Sequence, residues 1–150
     1  MNICIGNIRV IELSVGKTGK RPSDKYLYDS YAYDSPLEKD NITADIDEVI
    51  VYGKIPRASI AIPTITGGMY SPDFMYVVKH KNGHKELNII VETKDVENKT
   101  DLRGTEKAKI ECAKVFFNML TADGYTVYFR DQLGNKQMAQ IINEIIKVEE

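Results

Sequence analysis

The alternation of apolar and polar positions predicts an N-terminal extended segment ahead of a mixed α/β region. Apolar residues alternate over residues 3–15, as is typical of strands, and the phase changes at Gly6-Asn7 as it would at a turn or bulge. Residues 16–34 are polar and rich in tyrosine, with glycine and proline as breakers, and they predict an exposed loop or arm. We therefore expect residues 1–34 to precede the main core.

The central part of the chain predicts strands. Four segments are rich in β-branched or aromatic residues, namely 49–52, 59–65, 74–79 and 87–94. Proline cannot donate to a ladder, so Pro56 and Pro63 should mark strand ends or an edge. Asn82-Gly83 favours a tight hairpin between the last two segments. Ile89-Ile90-Val91 is continuously apolar, which predicts a central strand covered on both faces.

Capping residues and helical periodicity predict three helices. Ser35-Pro36 indicates a helix start, and Glu38 at the third helical position completes a capping box. Apolar residues recur at helical spacing over residues 105–120 and again over 138–145, with a further strand at 126–130 between them. This order predicts an α/β fold, with a mixed sheet flanked by helices in a single domain over residues 1–150. Its core occupies residues 35–150.

Composition narrows the class of protein. The chain has 150 residues, 43% apolar and 28% charged, which suits one soluble domain with a hydrophobic core. Its net charge of -2 supplies no overall basic field for coating nucleic acid, although a metal-binding nuclease site must itself be acidic. Cys4 and Cys112 are expected to be reduced core residues. The sequence has no apolar run that would cross a bilayer and no signal-peptide pattern, so a cytoplasmic location is expected.

Two short segments predict the chemistry. Asp73 begins one predicted strand, and Glu92 and Lys94 end the next. Side chains alternate along a strand, so Glu92 and Lys94 share a face, and the predicted hairpin places Asp73 beside them. Mg²⁺ prefers oxygen ligands, so we expect Asp73 and Glu92 to bind it, with the Thr93 carbonyl as a third ligand. Lys94 would then position or help to deprotonate the attacking water and offset the phosphate charge.

Each of these residues also has an ordinary structural interpretation. An aspartate after a proline is commonly a turn residue, and Glu92 and Lys94 would suit a solvated strand end. Glu38 either adds an oxygen or a contact to the site or serves only in the capping box. The tyrosines of the arm either stack on bases or pack the arm onto the domain; they are Tyr26, Tyr28, Tyr31 and Tyr33.

The positions of Asp73, Glu92 and Lys94 match the signature of the PD-(D/E)XK nuclease superfamily. The surrounding sequence resembles the C-terminal endonuclease domain of the restriction (Res) subunit of type III restriction-modification enzymes. The segments that carry this resemblance are Asp34-Ser35-Pro36-Leu37-Glu38, Val51-Tyr52-Gly53-Lys54-Ile55-Pro56-Arg57, Ile62-Pro63-Thr64, Gly67-Gly68, Tyr70-Ser71-Pro72-Asp73-Phe74, Val91-Glu92-Thr93-Lys94 and Lys109-Ile110-Glu111-Cys112-Ala113-Lys114.

The resemblance implies a restriction-endonuclease-like mixed β-sheet core flanked by helices. It implies hydrolysis of DNA phosphodiester bonds with Mg²⁺, for which Mn²⁺ substitutes. Asp73 would be the metal aspartate, Glu92 and Lys94 the Glu-x-Lys pair, and Glu38 the helical glutamate that precedes the first core strand.

The implied partners are double-stranded DNA, a helicase-like motor in the Res subunit, and a modification methyltransferase subunit. The chain contains no ATP-binding loop: in Gly16-Lys17-Thr18, which resembles the end of one, the glycine required five positions earlier is replaced by Ile11. We therefore expect ATP to be used only by the absent motor, and the chain to be an excised domain or a truncated product.

Two further interpretations stay open at this point. The first is a non-catalytic module that docks the motor or grips DNA, with phosphate contacts from Lys107, Lys109 and Lys114. The second is a structure-specific DNA repair nuclease of the same superfamily. Stronger DNA binding on addition of Ca²⁺ would favour a nuclease with a metal site over a module that binds DNA through its lysines alone.

Overall fold

A computed structural model describes residues 17–56, 59–80, 86–98, 100, 102–122 and 126–149. Its elements are β1 (Lys17–Lys20), β2 (Ser30–Tyr33), α1 (Pro36–Thr43), β3 (Val49–Lys54), β4 (Ile62–Pro63), β5 (Met69–Tyr70), β6 (Phe74–Lys79), β7 (Glu86–Lys94), α2 (Gly104–Ala122), β8 (Val127–Leu133) and α3 (Met138–Val148). The alternation predicted over residues 3–15, Cys4 within it, and the turns at Gly6-Asn7 and Asn82-Gly83 lie outside the described residues.

A four-stranded mixed sheet forms the centre of the fold, in the order β3-β6-β7-β8. β6 is antiparallel to both β3 and β7, whereas β8 runs parallel to β7 because α2 provides the crossover between them. β7 is therefore a central strand, as its apolar run predicts, and Ile89 and Val91 are fully buried. The predicted α/β fold with a mixed sheet flanked by helices is confirmed.

The helices cover the two faces of the sheet separately. Ile90 and Phe129 pack against the buried residues of α2. The ring of Phe117 stacks on the ring of Phe129, with 5.5 Å between the ring centroids. Ile89 and Val91 face the opposite way, into a cluster that includes Ile42 of α1 and the buried apolar residues of α3. In the part of the chain that the structure describes, no helix is long and apolar enough to span a membrane.

The strand predicted at residues 59–65 is wrong in length. Only Ile62–Pro63 is extended there, and it pairs with Met69–Tyr70 in a ribbon separate from the central sheet. Pro63 lacks the amide that would continue a ladder. Gly67 and Gly68, with φ of 85° and 88°, then turn the chain back on itself. We call residues 62–70 the β4–β5 ribbon.

The prediction of an exposed loop over residues 16–34 is also wrong in part. β1 and β2 pair antiparallel in this region. Tyr26 is only 1% exposed, and its ring packs edge-on against the ring of Tyr52, with 5.1 Å between the ring centroids. The other tyrosines of the arm pack against the same cluster while partly buried; they are Tyr28, Tyr31 and Tyr33. Burying these rings removes a large apolar area from water, so the tyrosines hold the arm onto the domain.

Candidate active site

The hairpin of β6 and β7 brings Asp73 and Glu92 together. Phe74 pairs with Val91, and the Asp73 amide donates to the Val91 carbonyl at 3.2 Å. Asp73 is therefore one step beyond this pair, opposite Glu92, as the predicted hairpin register requires.

The Asp73 side chain is held by the end of β7. Its Oδ2 atom accepts hydrogen bonds from the Thr93 amide at 2.8 Å and from the Thr93 hydroxyl at 2.7 Å. The main chain of Asp73 is held from the other side, because its carbonyl accepts from the Ile55 amide at 2.7 Å, just after β3. Two neighbouring strands thus determine where this carboxylate lies.

The Glu92 carboxylate is buried, with 4% of the residue exposed. Its Oε1 atom lies 2.6 Å from Lys94 Nζ, and its Oε2 atom accepts a 2.6 Å hydrogen bond from the Tyr70 hydroxyl. Burial and the nearby Asp73 charge raise the pKa of Glu92 to about 7, against the lowering effect of Lys94 and Tyr70. A second negative charge beside a buried carboxylate makes the site attractive to a cation.

Lys94 shares the face of Glu92, as strand alternation predicts. Glu106, in the first turn of α2, places its Oε1 atom 3.9 Å from the same ammonium. Burial alone would lower the pKa of Lys94, but Glu92, followed by Glu106 and Asp73, outweighs burial and raises it. Lys94 is therefore a cation at neutral pH.

The sequence did not predict that three further residues would lie near these side chains. Tyr70 belongs to the β4–β5 ribbon, Glu106 to α2, and Asp131 to β8, where it pairs in register with Glu92. Burial, followed by Glu92, raises the pKa of the Tyr70 hydroxyl well above its usual range, and Asp131 adds to the shift. The only sequence signal for Asp131 is a carboxylate inside an otherwise strand-like segment.

Glu38 contacts the residues that surround the start of α1 and the end of β3. Ser35 caps α1 as predicted, by accepting from the Glu38 amide at 3.2 Å. The Glu38 carboxylate, however, accepts from the Asp34 amide at 2.8 Å rather than from Ser35, so the predicted capping box is displaced by one residue. The same Oε2 atom lies 3.0 Å from Lys54 Nζ.

Lys54 ends β3 and connects Glu38 to the strand that supports Asp73. Its ammonium also lies 3.3 Å from Asp34 Oδ2. Burial would lower the pKa of Lys54, but Glu38 and Asp34 outweigh it and raise the pKa. The ion pair between Glu38 and Lys54 thus ties α1 to β3.

The three lysines expected at a DNA interface lie on α2 but not on one stripe. Lys107 and Lys114 are seven residues apart and project within about 20° of each other, whereas Lys109 projects about 200° around the helix from Lys107. Lys107 and Lys109 are exposed. Lys114 is paired with Glu111 at 2.8 Å.

The acidic residues fit a hard divalent ion in ligand type. Among the described residues, no set of three His, Cys, Asp or Glu side chains is arranged to hold a metal ion. Asp73 and Glu92 supply carboxylate oxygens close enough for Asp73 to raise the pKa of Glu92, and the predicted third ligand is a carbonyl, that of Thr93. Oxygen donors are the ligands that Mg²⁺ prefers, and a cation between the carboxylates relieves their repulsion.

A cavity of about 600 Å³ also opens on the face of the sheet that carries Glu92. Its lining is apolar and includes Val51, Met75, Ile90 and Phe116. None of the described residues that line it is a carboxylate, so the described lining supplies no oxygen ligand of the kind a hard divalent ion prefers. The position of the acids, rather than the size of a cavity, defines the candidate active site.

The chain is similar to nucleases in two comparisons with known proteins. A family described as "Endonuclease domain" matches residues 24–135. The EcoP15I Res subunit of Escherichia coli, a type III restriction-modification enzyme, is 46% identical over 128 residues, which is 85% of this chain and 13% of the relative. The EcoPI Res subunit of Escherichia phage P1 is 45% identical over the same shares of each chain.

A more distant relative extends the same similarity. The type III StyLTI Res subunit of Salmonella typhimurium is 31% identical over 120 residues, covering 80% of this chain and 11% of the relative. The chain thus spans 13% or less of the length of these curated relatives. No solved structure matches the chain.

Proposed function

Because the chain belongs to the endonuclease domain family and resembles type III Res subunits over most of its length, we propose that it hydrolyses DNA phosphodiester bonds with Mg²⁺. The observation that carries this proposal is the meeting of Asp73, Glu92 and Lys94 at one end of the β6–β7 hairpin. Two acids and a lysine in this arrangement supply what phosphodiester hydrolysis needs, namely metal ligands and a cation beside the phosphate.

Asp73 and Glu92 are the proposed Mg²⁺ ligands, with the Thr93 carbonyl as the third and with Mn²⁺ as a substitute ion. When bound, the ion supplies an activated water and polarises a phosphoryl oxygen. Hydrogen bonds from the amide and the hydroxyl of Thr93 preorganise the Asp73 carboxylate. Glu92 must lose its proton to bind a cation, and a pKa of about 7 makes the site respond to pH near neutrality.

Lys94 is the proposed electrostatic residue. Sequence reasoning leaves two roles for it, one in deprotonating water and one in offsetting phosphate charge. The raised pKa favours the second role, because Lys94 would first have to give up a proton that Glu92 and Glu106 help to retain. A fixed ammonium at this position stabilises negative charge that develops on the phosphate oxygens.

Glu38 is proposed to act on the reaction through position rather than through substrate contact. Its ion pair with Lys54 holds α1 against β3, and the residue after Lys54 bonds the main chain of Asp73. This arrangement supports Glu38 as a residue that maintains the site.

The proposed substrate is double-stranded DNA, and the proposed partners are the helicase-like motor and the modification methyltransferase of a type III enzyme, in the cytoplasm. ATP is used by the motor and has no role in the site described here. Lys107 and Lys109 are exposed on α2, whose first turn also carries Glu106 beside Lys94, and they are the proposed phosphate contacts. Lys114 joins them only if DNA displaces Glu111.

Anomalous scattering from Mn²⁺ tests the metal site without any partner protein. We expect crystals soaked in Mn²⁺, with and without a short DNA duplex, to show an ion about 2.1 Å from oxygens of Asp73 and Glu92. Crystals of Glu92→Gln, treated in the same way, should lose the peak. The proposal fails if wild-type crystals that contain both DNA and Mn²⁺ show no ion at these two residues.

A further inference from the structure

Tyr70 reaches the candidate site from outside the central sheet. It is the last residue of the β4–β5 ribbon, whose two strands pair with each other, Ile62 opposite Tyr70, in a sheet separate from the central one. The ring is buried, with 6% of the residue exposed, in the apolar cluster that includes Ile90 and Phe117. This packing leaves the ring little freedom and directs its hydroxyl at the end of β7.

The Tyr70 hydroxyl and the Lys94 ammonium hold the two oxygens of Glu92 separately. Tyr70 donates to Oε2 at 2.6 Å, and Lys94 Nζ lies 2.6 Å from Oε1. Each carboxylate oxygen has two lone pairs, so one hydrogen bond at each oxygen leaves a lone pair free for a cation. The two bonds therefore restrict the rotation of the carboxylate without blocking its use as a ligand.

We propose that Tyr70 is a positioning residue that holds the Glu92 carboxylate in the orientation required to bind a divalent cation. This inference rests on the proposed function, since it assigns a role at the same metal site. It also makes the β4–β5 ribbon a structural part of the active site, although the ribbon contributes no ligand. Hydrogen bonds that orient a ligand from behind typically change metal affinity by about 10- to 100-fold.

A purely structural role for Tyr70 makes a different prediction. The aromatic ring fills the apolar cluster, and Tyr70→Phe retains the ring while removing only the hydroxyl. If packing is all that Tyr70 contributes, this substitution leaves metal binding unchanged. If the hydroxyl positions Glu92, metal binding weakens although the fold persists.

Tyr76 offers a matched control. It is also buried, at 2% exposure, and its hydroxyl has no hydrogen-bond partner within the described residues. Its ring stacks on Tyr52 in the cluster on the opposite face of the sheet from Glu92. Tyr76→Phe therefore also removes a buried tyrosine hydroxyl, but this hydroxyl does not contact the Glu92 carboxylate.

The test is a titration of the chain with Mn²⁺ alone, read by the electron paramagnetic resonance of free Mn²⁺. We expect Tyr70→Phe to raise the Kd by about 10- to 100-fold relative to wild type. Tyr76→Phe should stay within about twofold of wild type, and Glu92→Gln should abolish the specific site. Melting temperatures in a chelator establish that each variant is folded at the temperature of the titration.

The outcomes separate the two proposals. Equal Mn²⁺ affinity in wild type and Tyr70→Phe overturns the role of Tyr70 while leaving the metal site intact. Absence of Mn²⁺ binding in the wild type overturns the role of Tyr70 in the free domain, whereas the metal site itself is overturned only by crystals that contain both DNA and Mn²⁺ and show no ion.

Discussion

Asp73 accepts two hydrogen bonds from Thr93 through a single oxygen atom, at 2.8 Å from the amide and 2.7 Å from the hydroxyl. The side chain satisfies a backbone amide near the end of β7, just beyond the Phe74–Val91 pair. The same carboxylate raises the pKa of Glu92 through its charge. Asp73 therefore stabilises the strand end and at the same time sets up the electrostatic repulsion that a cation would relieve.

Substitutions at Asp73 should separate these two effects. Asp73→Asn keeps an oxygen acceptor for Thr93 and removes the charge beside Glu92, whereas Asp73→Ala removes both. We expect the asparagine variant to be more stable than the alanine variant by about 1–3 kcal/mol without metal, since alanine leaves the Thr93 donors unpaired. Urea denaturation measures the difference. Equal stability of the two variants would show that the hydrogen bonds contribute nothing.

Lys94→Ala should reduce Mg²⁺-dependent DNA cleavage by about 100-fold or more, because a fixed positive charge beside the phosphate is lost. The measurement is the initial rate of plasmid cleavage by the enzyme that carries this domain, with circular dichroism to check folding. Lys147→Ala, which removes an exposed lysine on α3, is the control and should leave the rate unchanged. Wild-type rates in the Lys94 variant would exclude the proposed role.

The metal-free domain should lose stability as the pH rises from about 4.5 to about 7. The folded pKa of Glu92 is about 7 and its usual value is 4.5, so in this interval the folded state retains a proton that the unfolded state releases. The associated stability is fully present below pH 4.5 and is lost as the pH passes through 7. The rise in the pKa of Glu92 from 4.5 to about 7 corresponds to a change of about 3 kcal/mol at most in the free energy of unfolding.

Denaturation profiles of wild type and Glu92→Gln at several pH values test this dependence. The glutamine variant cannot ionise at this position, so its profile should lack the loss between pH 4.5 and 7. Mg²⁺ should restore wild-type stability above pH 7, because it binds the ionised carboxylate. Parallel profiles for the two proteins would mean that Glu92 does not titrate in this range.

Lys54→Met should destabilise the domain by about 1–3 kcal/mol. This loss lies between those expected when one partner is removed from a surface ion pair and from a fully buried ion pair. The substitution leaves the Glu38 carboxylate, whose side chain is 10% exposed, without its 3.0 Å partner. Adding Glu38→Gln should recover part of the loss, since the uncompensated charge disappears. Thermal denaturation of the two single variants and the double variant gives the coupling free energy between Lys54 and Glu38. Additive losses would argue against an interaction between the two side chains.

The sequence alone was sufficient for features that depend on local geometry. Strand alternation placed Glu92 and Lys94 on one face, and the predicted antiparallel pairing of residues 74–79 with residues 87–94 placed Asp73 beside Glu92, because both rules depend on residues a few positions apart. The apolar spacing of α2 and α3 likewise predicted most of their buried residues, among them Ile110, Phe117 and Ile141, whereas Leu120 is only partly buried. Predictions made from composition alone were weaker: residues 59–65, which are rich in β-branched residues, form only a short strand, and the polar arm contains a strand pair.

Only the tertiary structure decided the contacts that surround these side chains. Tyr70 meets Glu92 across 22 positions of sequence, and Asn41 on α1 is hydrogen-bonded to Gln132 on β8 across 91 positions. Such pairs depend on strand order and on how the ribbon and helices pack, which residue spacing does not encode. Local sterics and backbone hydrogen bonding therefore determined the elements and the face that carries Glu92 and Lys94, while burial of apolar surface brought the Tyr70 hydroxyl to Glu92.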